Sequence, residues 1–123
     1  MSETPNQGEK IVLCAANAYE QKYYFNEKFK KIPQSVQDEL HIISVLFTKE
    51  VGGVFSIVFE PDGTLAFETD AADDDLLYDD ISSGLLIAEI KRNRQELLES
   101  LTPYYRIFIL GEDLSALLEE EEQ

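Results

Sequence analysis

The chain has 123 residues, 44% of them hydrophobic, which suffices for one domain with a single core and leaves too little for a second independent domain. Its formal net charge is -15, and residues 59–123 carry 18 acidic against 4 basic side chains. Because phosphate backbones and anionic membranes would repel such a surface, we expect no nucleic-acid and no membrane partner.

The N-terminal segment and the single cysteine indicate a cytoplasmic protein. Residues 1–9 lack the basic region of an export signal, and no apolar run reaches the roughly 18 to 20 residues that span a bilayer. Cys14 has no partner for an intrachain disulfide, which fits a reducing compartment. We predict a flexible tail at 1–9, one domain at 10–114 and an acidic, disordered tail at 115–123.

Residues 10–29 contain two apolar segments, 11–18 and 23–25, with a polar stretch between them. Their aromatic and β-branched side chains favour a pair of strands. Three alanines in the first segment would also suit a helix, so both interpretations stay open at this point.

The clearest helix follows a proline, with Ser35 as its predicted N-cap. One apolar stripe at helical spacing predicts packing against a core, and it consists of Val36, Leu40, Ile43 and Phe47. The pair Gly52 and Gly53 is predicted to end this helix.

Segments 54–59 and 64–69 alternate apolar and smaller or polar side chains on either side of a Glu-Pro-Asp-Gly sequence. Proline presets φ and glycine tolerates a positive φ, so this sequence is typical of a turn. The pattern predicts a β-hairpin with one apolar face, which helices must cover.

Residues 76–110 carry helical spacing, but an unbroken helix of that length would measure roughly 50 Å, too long for a compact domain with a radius of gyration of roughly 14 Å. We expect a kink at residues 82–84 (Ser-Ser-Gly) or at Pro103. Residues 104–110 would also suit a strand by composition. The apolar stripe that continues from Leu97 favours a helix.

The order ββαββα predicts an α+β fold. We expect two layers, an antiparallel sheet of about four strands with helices packed on one face, and a long, kinked C-terminal helix.

Three segments carry a family resemblance: CAANAYEQKYY at 14–24, the glycine pair at 52–53, and YYRIFILGE at 104–112. Through them, most of residues 10–114 resembles an uncharacterised bacterial family of small cytosolic proteins from clostridial Firmicutes. That family has no assigned activity, so the resemblance implies no function.

Two groups of side chains have the composition of a chemical site. A Cys–His nucleophile pair would need both Cys14 and His41, but nothing in the sequence brings these two residues together. Cys14 lies in an apolar segment, which favours it as a small core residue. The aspartates at 70, 73–75, 79 and 80 are hard oxygen ligands, yet no register among them supplies a calcium loop. Hydrated acidic side chains at the start of a helix are favoured by the helix dipole, which explains these aspartates without a metal. With neither group favoured as a chemical site, we expect no catalytic residue, metal or cofactor.

Six side chains have the composition of an interface hot spot: Tyr19, Tyr23, Tyr24, Tyr104, Tyr105 and Arg106. The same tyrosines would also suit ordinary core lining. Our leading hypothesis is a non-catalytic protein-interaction module with an acidic surface, bound to a second copy in a homodimer or to a basic protein. The alternative is a small-molecule or divalent-metal binding protein, and an enzyme is least favoured because no catalytic motif occurs.

Overall fold

The structure, a computed structural model, describes residues 9–111, so nearly all of the predicted tails and the end of the predicted domain, 112–114, lie outside the described residues. Its elements are β1 (Ile11–Asn17), β2 (Lys22–Phe25), a 3-10 turn (Glu27–Phe29), α1 (Gln34–Val51), β3 (Val54–Phe59), β4 (Leu65–Asp70), α2 (Asp80–Asn93), α3 (Gln95–Glu99) and α4 (Thr102–Phe108). The predicted α+β class, with a four-stranded antiparallel sheet and helices, is confirmed.

The sheet has the order β2-β1-β3-β4, and every neighbouring pair is antiparallel. Strands β1 and β2 confirm the strand interpretation of residues 10–29. Val12 pairs with Val58 and Cys14 with Ile57, so Leu13 is an extra residue in β1. This bulge gives Leu13 a place in the core, where it is fully buried.

The core lies between the sheet and α1. Phe55, Ile57 and Phe59 alternate along β3 and are all fully buried, as period-two side chains on a covered face must be. The ring of Phe47 on α1 stacks on Phe55 with centroids 4.3 Å apart. The predicted stripe of α1 is confirmed, since Leu40, Ile43 and Phe47 are buried and Val36 is half-buried.

Helix α1 starts slightly earlier than predicted and ends where predicted. Its N-cap is Pro33, without a side-chain capping bond, so Ser35 lies inside the first turn and the predicted cap is wrong. The extended ψ of Pro33, 142°, sets the boundary instead. At the other end the N–H of Gly52 donates to the carbonyl of Thr48 at 2.8 Å. Gly53 has φ +71°, and a Cβ there would lie 2.5 Å from the carbonyl oxygen of Asp70, so only glycine fits.

The C-terminal helical region is divided into three helices, beginning at Asp80 rather than at 76. Residues 104–110 were correctly interpreted as mainly helical. One break lies just before Pro103, which occupies the first turn of α4, where a missing N–H costs nothing. The other lies at Arg94, with φ -121°, and residues 82–84 are unbroken helix, so that predicted kink is wrong.

Helix α4 is attached to the β3–β4 turn. The buried ring of Tyr105 packs on Phe59 with centroids 5.0 Å apart, and its hydroxyl donates to the carbonyl of Pro61 at 2.9 Å. The hydroxyl of Thr102 donates to the carbonyl of Gly63 at 3.0 Å. These contacts close the sheet end opposite to the α1–β3 connection.

Candidate interaction surfaces

An open groove of about 460 Å³ lies between α1 and α2. We call it the α1–α2 groove, and its lining side chains are Ile43, Leu46, Phe47, Lys49, Glu50, Leu86, Glu89, Ile90, Asn93 and Arg94. Its lining is mainly apolar, because α1 and α2 direct aliphatic side chains toward each other along their shared edge. No described part of the chain fills it.

Beside this groove, α1 exposes three apolar side chains that the core does not use. Ile42, Val45 and Leu46 are all exposed, Leu46 to 58%. Their spacing of three and four residues places them on one side of the helix. We call these three residues the α1 ridge, and Leu46 belongs both to it and to the groove lining.

Charges of both signs surround the groove. Lys49 and Arg94 are balanced by Glu50 and Glu89 within the same lining. Arg94 also lies 3.8 Å from a carboxylate oxygen of Glu39, an exposed ion pair. In a chain with a net charge of -15, this balanced region is a local exception to the acidic surface.

A second exposed apolar surface lies at the start of α2. We call it the α2 stripe, and it consists of Leu76, Leu77, Ile81 and Leu85, exposed to 92, 92, 77 and 68%. Ile81 and Leu85 are one turn apart on the same side of α2. Leu77 and Ile81 are four positions apart in the sequence, so their Cα atoms are at most about 14 Å apart.

The turn that carries the two leucines is held by side-chain hydrogen bonds. The hydroxyl of Tyr19 donates to Asp75 at 2.5 Å and accepts from the N–H of Ala72 at 3.0 Å. The other carboxylate oxygen of Asp75 accepts from the N–H of Leu77 at 3.0 Å. The hydrogen bond from Tyr19 also lowers the pKa of Asp75. Leu76 and Leu77 are therefore presented on an anchored turn.

Helix α2 begins at an aspartate cap that fixes the rest of the stripe. The carboxylate of Asp79 accepts from the N–H groups of Ile81 and Ser82, and from the Ser82 hydroxyl at 2.6 Å. These bonds lower the pKa of Asp79. Just before the cap, the hydroxyl of Tyr78 donates to Ser83 at 3.1 Å.

The three N-terminal tyrosines of the predicted patch point in different directions. Tyr23 lies on the helix-covered face of β2, where its ring stacks on His41 at 4.1 Å. Tyr24, the next residue in the strand, lies on the opposite face and is exposed. Tyr19 is exposed in the turn between β1 and β2 and bonds to Asp75.

The C-terminal members of the patch lie on α4. Tyr105 is fully buried, Tyr104 is half-buried with its ring 5.9 Å from Phe108, and Arg106 is half-buried. Among the described residues, no ring contact or hydrogen bond joins these tyrosines to Tyr19, Tyr23 or Tyr24. A contact role for these six residues stays a prediction.

Cys14 is a buried core residue. Its sulfur lies 3.8 Å from the hydroxyl of Ser44 on α1, and burial raises the pKa of the thiol to about 11. Tyr23 lies against both Cys14 and His41, since its ring stacks on His41 and its buried hydroxyl lies beside the Cys14 thiol. Burial raises the pKa of Tyr23 as well. A thiol that stays protonated at neutral pH is a poor nucleophile.

The aspartates of residues 70–80 do not converge. Between residues 9 and 111, no three side chains of the histidine, cysteine, aspartate or glutamate type lie together as a metal site would require. Asp75 and Asp79 instead accept hydrogen bonds from the local backbone. The charged segment is thus organised around the start of α2.

Sequence reasoning missed the α1–α2 groove and the α1 ridge. A signal for the ridge is present, because residues 40–47 (LHIISVLF) are apolar on more than the one face that a core requires. The groove depends on how two helices lie side by side, which sequence spacing does not contain. The exposure of Leu76 and Leu77 was missed because both were assigned to a helix.

No helix within the described part of the chain combines the length and apolarity needed to cross a membrane. No curated protein and no solved structure matches the chain. A family model described as "Family of unknown function (DUF6145)" matches residues 10–113. The expected membership of an uncharacterised family is thereby confirmed, whereas its clostridial and cytosolic character stays a prediction. The chain belongs to this family of unknown function, DUF6145.

Proposed function

We propose that the protein is a non-catalytic, cytoplasmic interaction module that forms a homodimer through the α1–α2 groove and the α1 ridge. One observation carries the proposal: two neighbouring helices share an apolar surface that no described residue covers. Interfaces between stable partners have this arrangement, with an apolar centre and a charged rim.

The charges around the groove favour a second copy as the partner. The lining holds charges of both signs, so a two-fold contact can place Lys49 and Arg94 of one copy near Glu50 and Glu89 of the other. Elsewhere the excess of acidic residues keeps two copies apart by repulsion. The groove is therefore the place where two such chains meet at the least electrostatic cost.

The apolar area sets the expected strength of the dimer. Each leucine or isoleucine that becomes fully buried contributes about 1.5–3 kcal/mol, and the ridge residues are only partly exposed in the monomer, so each contributes less. Association costs about 4–15 kcal/mol in lost freedom. We therefore expect a reversible, concentration-dependent dimer rather than a permanent one.

Sedimentation analysis of the untagged full chain over a wide concentration range tests the proposal. The wild type should shift from monomer to dimer as concentration rises. Leu46→Asp places a carboxylate inside the apolar surface and should abolish the dimer. Leu77→Asp is the matched control, because it adds the same charge at an exposed leucine outside the groove and ridge.

Two results would contradict the proposal. A monomer at every concentration would remove the homodimer, and equal loss of dimer in both variants would place the interface elsewhere. A dimer that survives Leu46→Asp and is lost in Leu77→Asp would assign it to the α2 stripe.

The volume of the groove supports a second candidate, a small apolar ligand. Pockets for small molecules occupy about 300–1,000 Å³, and the groove has about 460 Å³. Native mass spectrometry of protein isolated from its own cells would then give a monomer with a reproducible extra mass. Loss of that ligand should lower the melting temperature, because a ligand that binds only the native state stabilises it.

A further inference from the structure

We propose that the α2 stripe is a separate docking surface that binds a positively charged amphipathic helix of another protein. Its four aliphatic residues and its partner differ from those of the proposed homodimer, although the shallow groove beside it shares Glu50, Leu86 and Glu89 with the α1–α2 groove. Either proposal stands if the other fails.

The exposure of the stripe is the first observation. Four large aliphatic side chains within ten residues are each at least two-thirds exposed. Single exposed leucines are ordinary on protein surfaces, whereas a group of this size marks a contact site. Ile81 and Leu85, one turn apart on α2, form an apolar ridge against which the apolar face of a second helix can pack.

A shallow groove beside the stripe offers room for an anchoring side chain. It measures about 280 Å³ and lies between the end of α1 and the first turns of α2. Its apolar lining residues are Val51, Leu85 and Leu86, and Glu50 and Glu89 also line it. A partner residue in this groove would contact Leu85 and a carboxylate at once, which suits the stem and head of a lysine or arginine.

The charge around the stripe selects the partner. Asp73, Asp74, Asp79 and Asp80 lie in the same segment as the four aliphatic residues, and Glu89 follows on α2. A second copy in two-fold contact here would bring these acids against themselves. Residues 112–123 of the same chain contain six acidic residues and are repelled for the same reason. A partner with lysine and arginine beside its apolar anchors is attracted instead.

The anchoring of the stripe lowers the entropy cost of binding. The bonds from Tyr19 to Asp75 and from Asp75 to the Leu77 N–H fix the turn before any partner arrives. The Asp79 cap fixes the first turn of α2. Such preorganisation leaves more of the burial energy as affinity.

The test titrates the full chain into a fluorescent synthetic helix that carries leucines at i, i+4 and i+7 and lysines elsewhere, with anisotropy as the readout. We expect saturable binding that weakens as salt is added. The double variant Leu77→Ser and Leu85→Ser should lose at least about tenfold in affinity. Leu110→Ser changes an exposed leucine outside the α2 stripe, the α1–α2 groove and the α1 ridge, so it is the matched control and should bind like the wild type.

Control peptides separate shape from charge. A scrambled peptide of the same composition has no apolar face, and a version with glutamate in place of lysine has no attractive charge, so both should bind at least about tenfold more weakly. The variant Asp73→Asn with Asp74→Asn should reduce the salt dependence without changing the fold, because both side chains are exposed.

Several outcomes would overturn the proposal. No saturable binding, equal binding of the scrambled peptide, or equal loss in Leu110→Ser would each remove the stripe as a helix-docking surface. Flotation with zwitterionic vesicles that the stripe variant loses would assign the leucines to a lipid surface instead.

Discussion

Helices α1 and α2 lie side by side but differ in how much of each is buried. Over 18 residues, α1 buries Leu40, Ile43, Ser44, Phe47, Thr48 and Val51 against the sheet. Over 14 residues, α2 buries only Ser83 and Ile90. The first helix is built into the core, whereas the second rests on its edge.

This difference indicates that the fold depends more on the side chains of α1 than on those of α2. Helix α2 contacts the core through the buried Ile90 and the half-buried Leu86 and Ile87, and Lys91 lies over the Phe67 ring at 5.8 Å. The aliphatic side chains that α2 and the turn before it expose therefore contribute little to stability. A group of exposed aliphatic side chains of this size is typical of a surface that contacts another molecule.

Truncation of one core ring on α1 should give the largest effect. Phe47→Ala removes the ring that stacks on Phe55 and leaves a cavity, so the free energy of unfolding should fall by about 3–5 kcal/mol. Leu85→Ala on α2 should change it by less than about 0.5 kcal/mol, because the side chain is exposed. Urea denaturation at neutral pH measures both.

If Phe47→Ala does not fold, Phe47→Leu keeps most of the volume and should still lose stability. Equal losses for the α1 and α2 variants would show that Leu85 is packed as tightly as Phe47, and the contrast between the two helices would fail.

Alanine substitutions at two glycines should change the free energy of unfolding in opposite directions. Gly53→Ala places a Cβ 2.5 Å from the Asp70 carbonyl at φ +71° and should destabilise the protein by about 2–4 kcal/mol. Gly84→Ala, inside α2, meets open space and should stabilise it by about 0.5–1 kcal/mol. Thermal unfolding of both variants checks the signs. A stabilised Gly53→Ala would contradict the close approach of β4 to the α1–β3 connection.

The fold was predictable where one local signal decided each element. The turn at residues 60–63 and the stripe of α1 each determine their element from a few neighbouring residues. The breaks in the C-terminal region were less predictable. Gly84 has weak helix propensity, but the Asp79 cap holds the helix through it, while Arg94 gives no local sign of a break.

The surfaces were less predictable than the fold because they depend on what remains uncovered. The six residues chosen by composition include Tyr105, which the β3–β4 turn buries through a contact across 44 positions of sequence. Conversely, the sequence does not distinguish Leu46 from the other apolar residues of α1. Only the relative position of α1 and α2 shows that it lines the groove. Composition identified hot-spot residue types, but exposure is a property of the folded chain.

The Cys14 thiol gives a pH test of the α1 side. Its pKa is about 11 in the folded state against an ordinary value of 9.0, so the unfolded state releases its proton first as pH rises. The buried, protonated thiol therefore contributes fully to the free energy of unfolding below pH 9. This contribution is lost between pH 9 and 11, at about 1.4 kcal/mol per pH unit. Urea denaturation at pH 8 and pH 10 should show this loss, and Cys14→Ala should show a shallower one. An equal slope in both would contradict a buried thiol.

The Asp79 cap should give a smaller global effect than Phe47→Ala or Gly53→Ala, and the most local one. Asp79→Ala leaves the N–H groups of Ile81 and Ser82 without an acceptor, so amide exchange should rise in the first turn of α2 while α1 stays protected. Because the pKa of Asp79 is lowered in the folded protein, its carboxylate stabilises the fold above about pH 4. This stabilisation is lost as the pH falls through the pKa of the folded state. Asp74→Ala, an exposed aspartate before the cap, is the matched control and should leave exchange unchanged.

An increase in amide exchange that spreads from α2 into α1 would show that the two helices open together. Exchange confined to α2 would mean that the start of this helix opens without loss of the core. A partner that docks on the α2 stripe would then slow exchange there and nowhere in α1. Amide exchange with and without the basic helix therefore tests the cap, the comparison of the helices and the location of the docking surface with one observable.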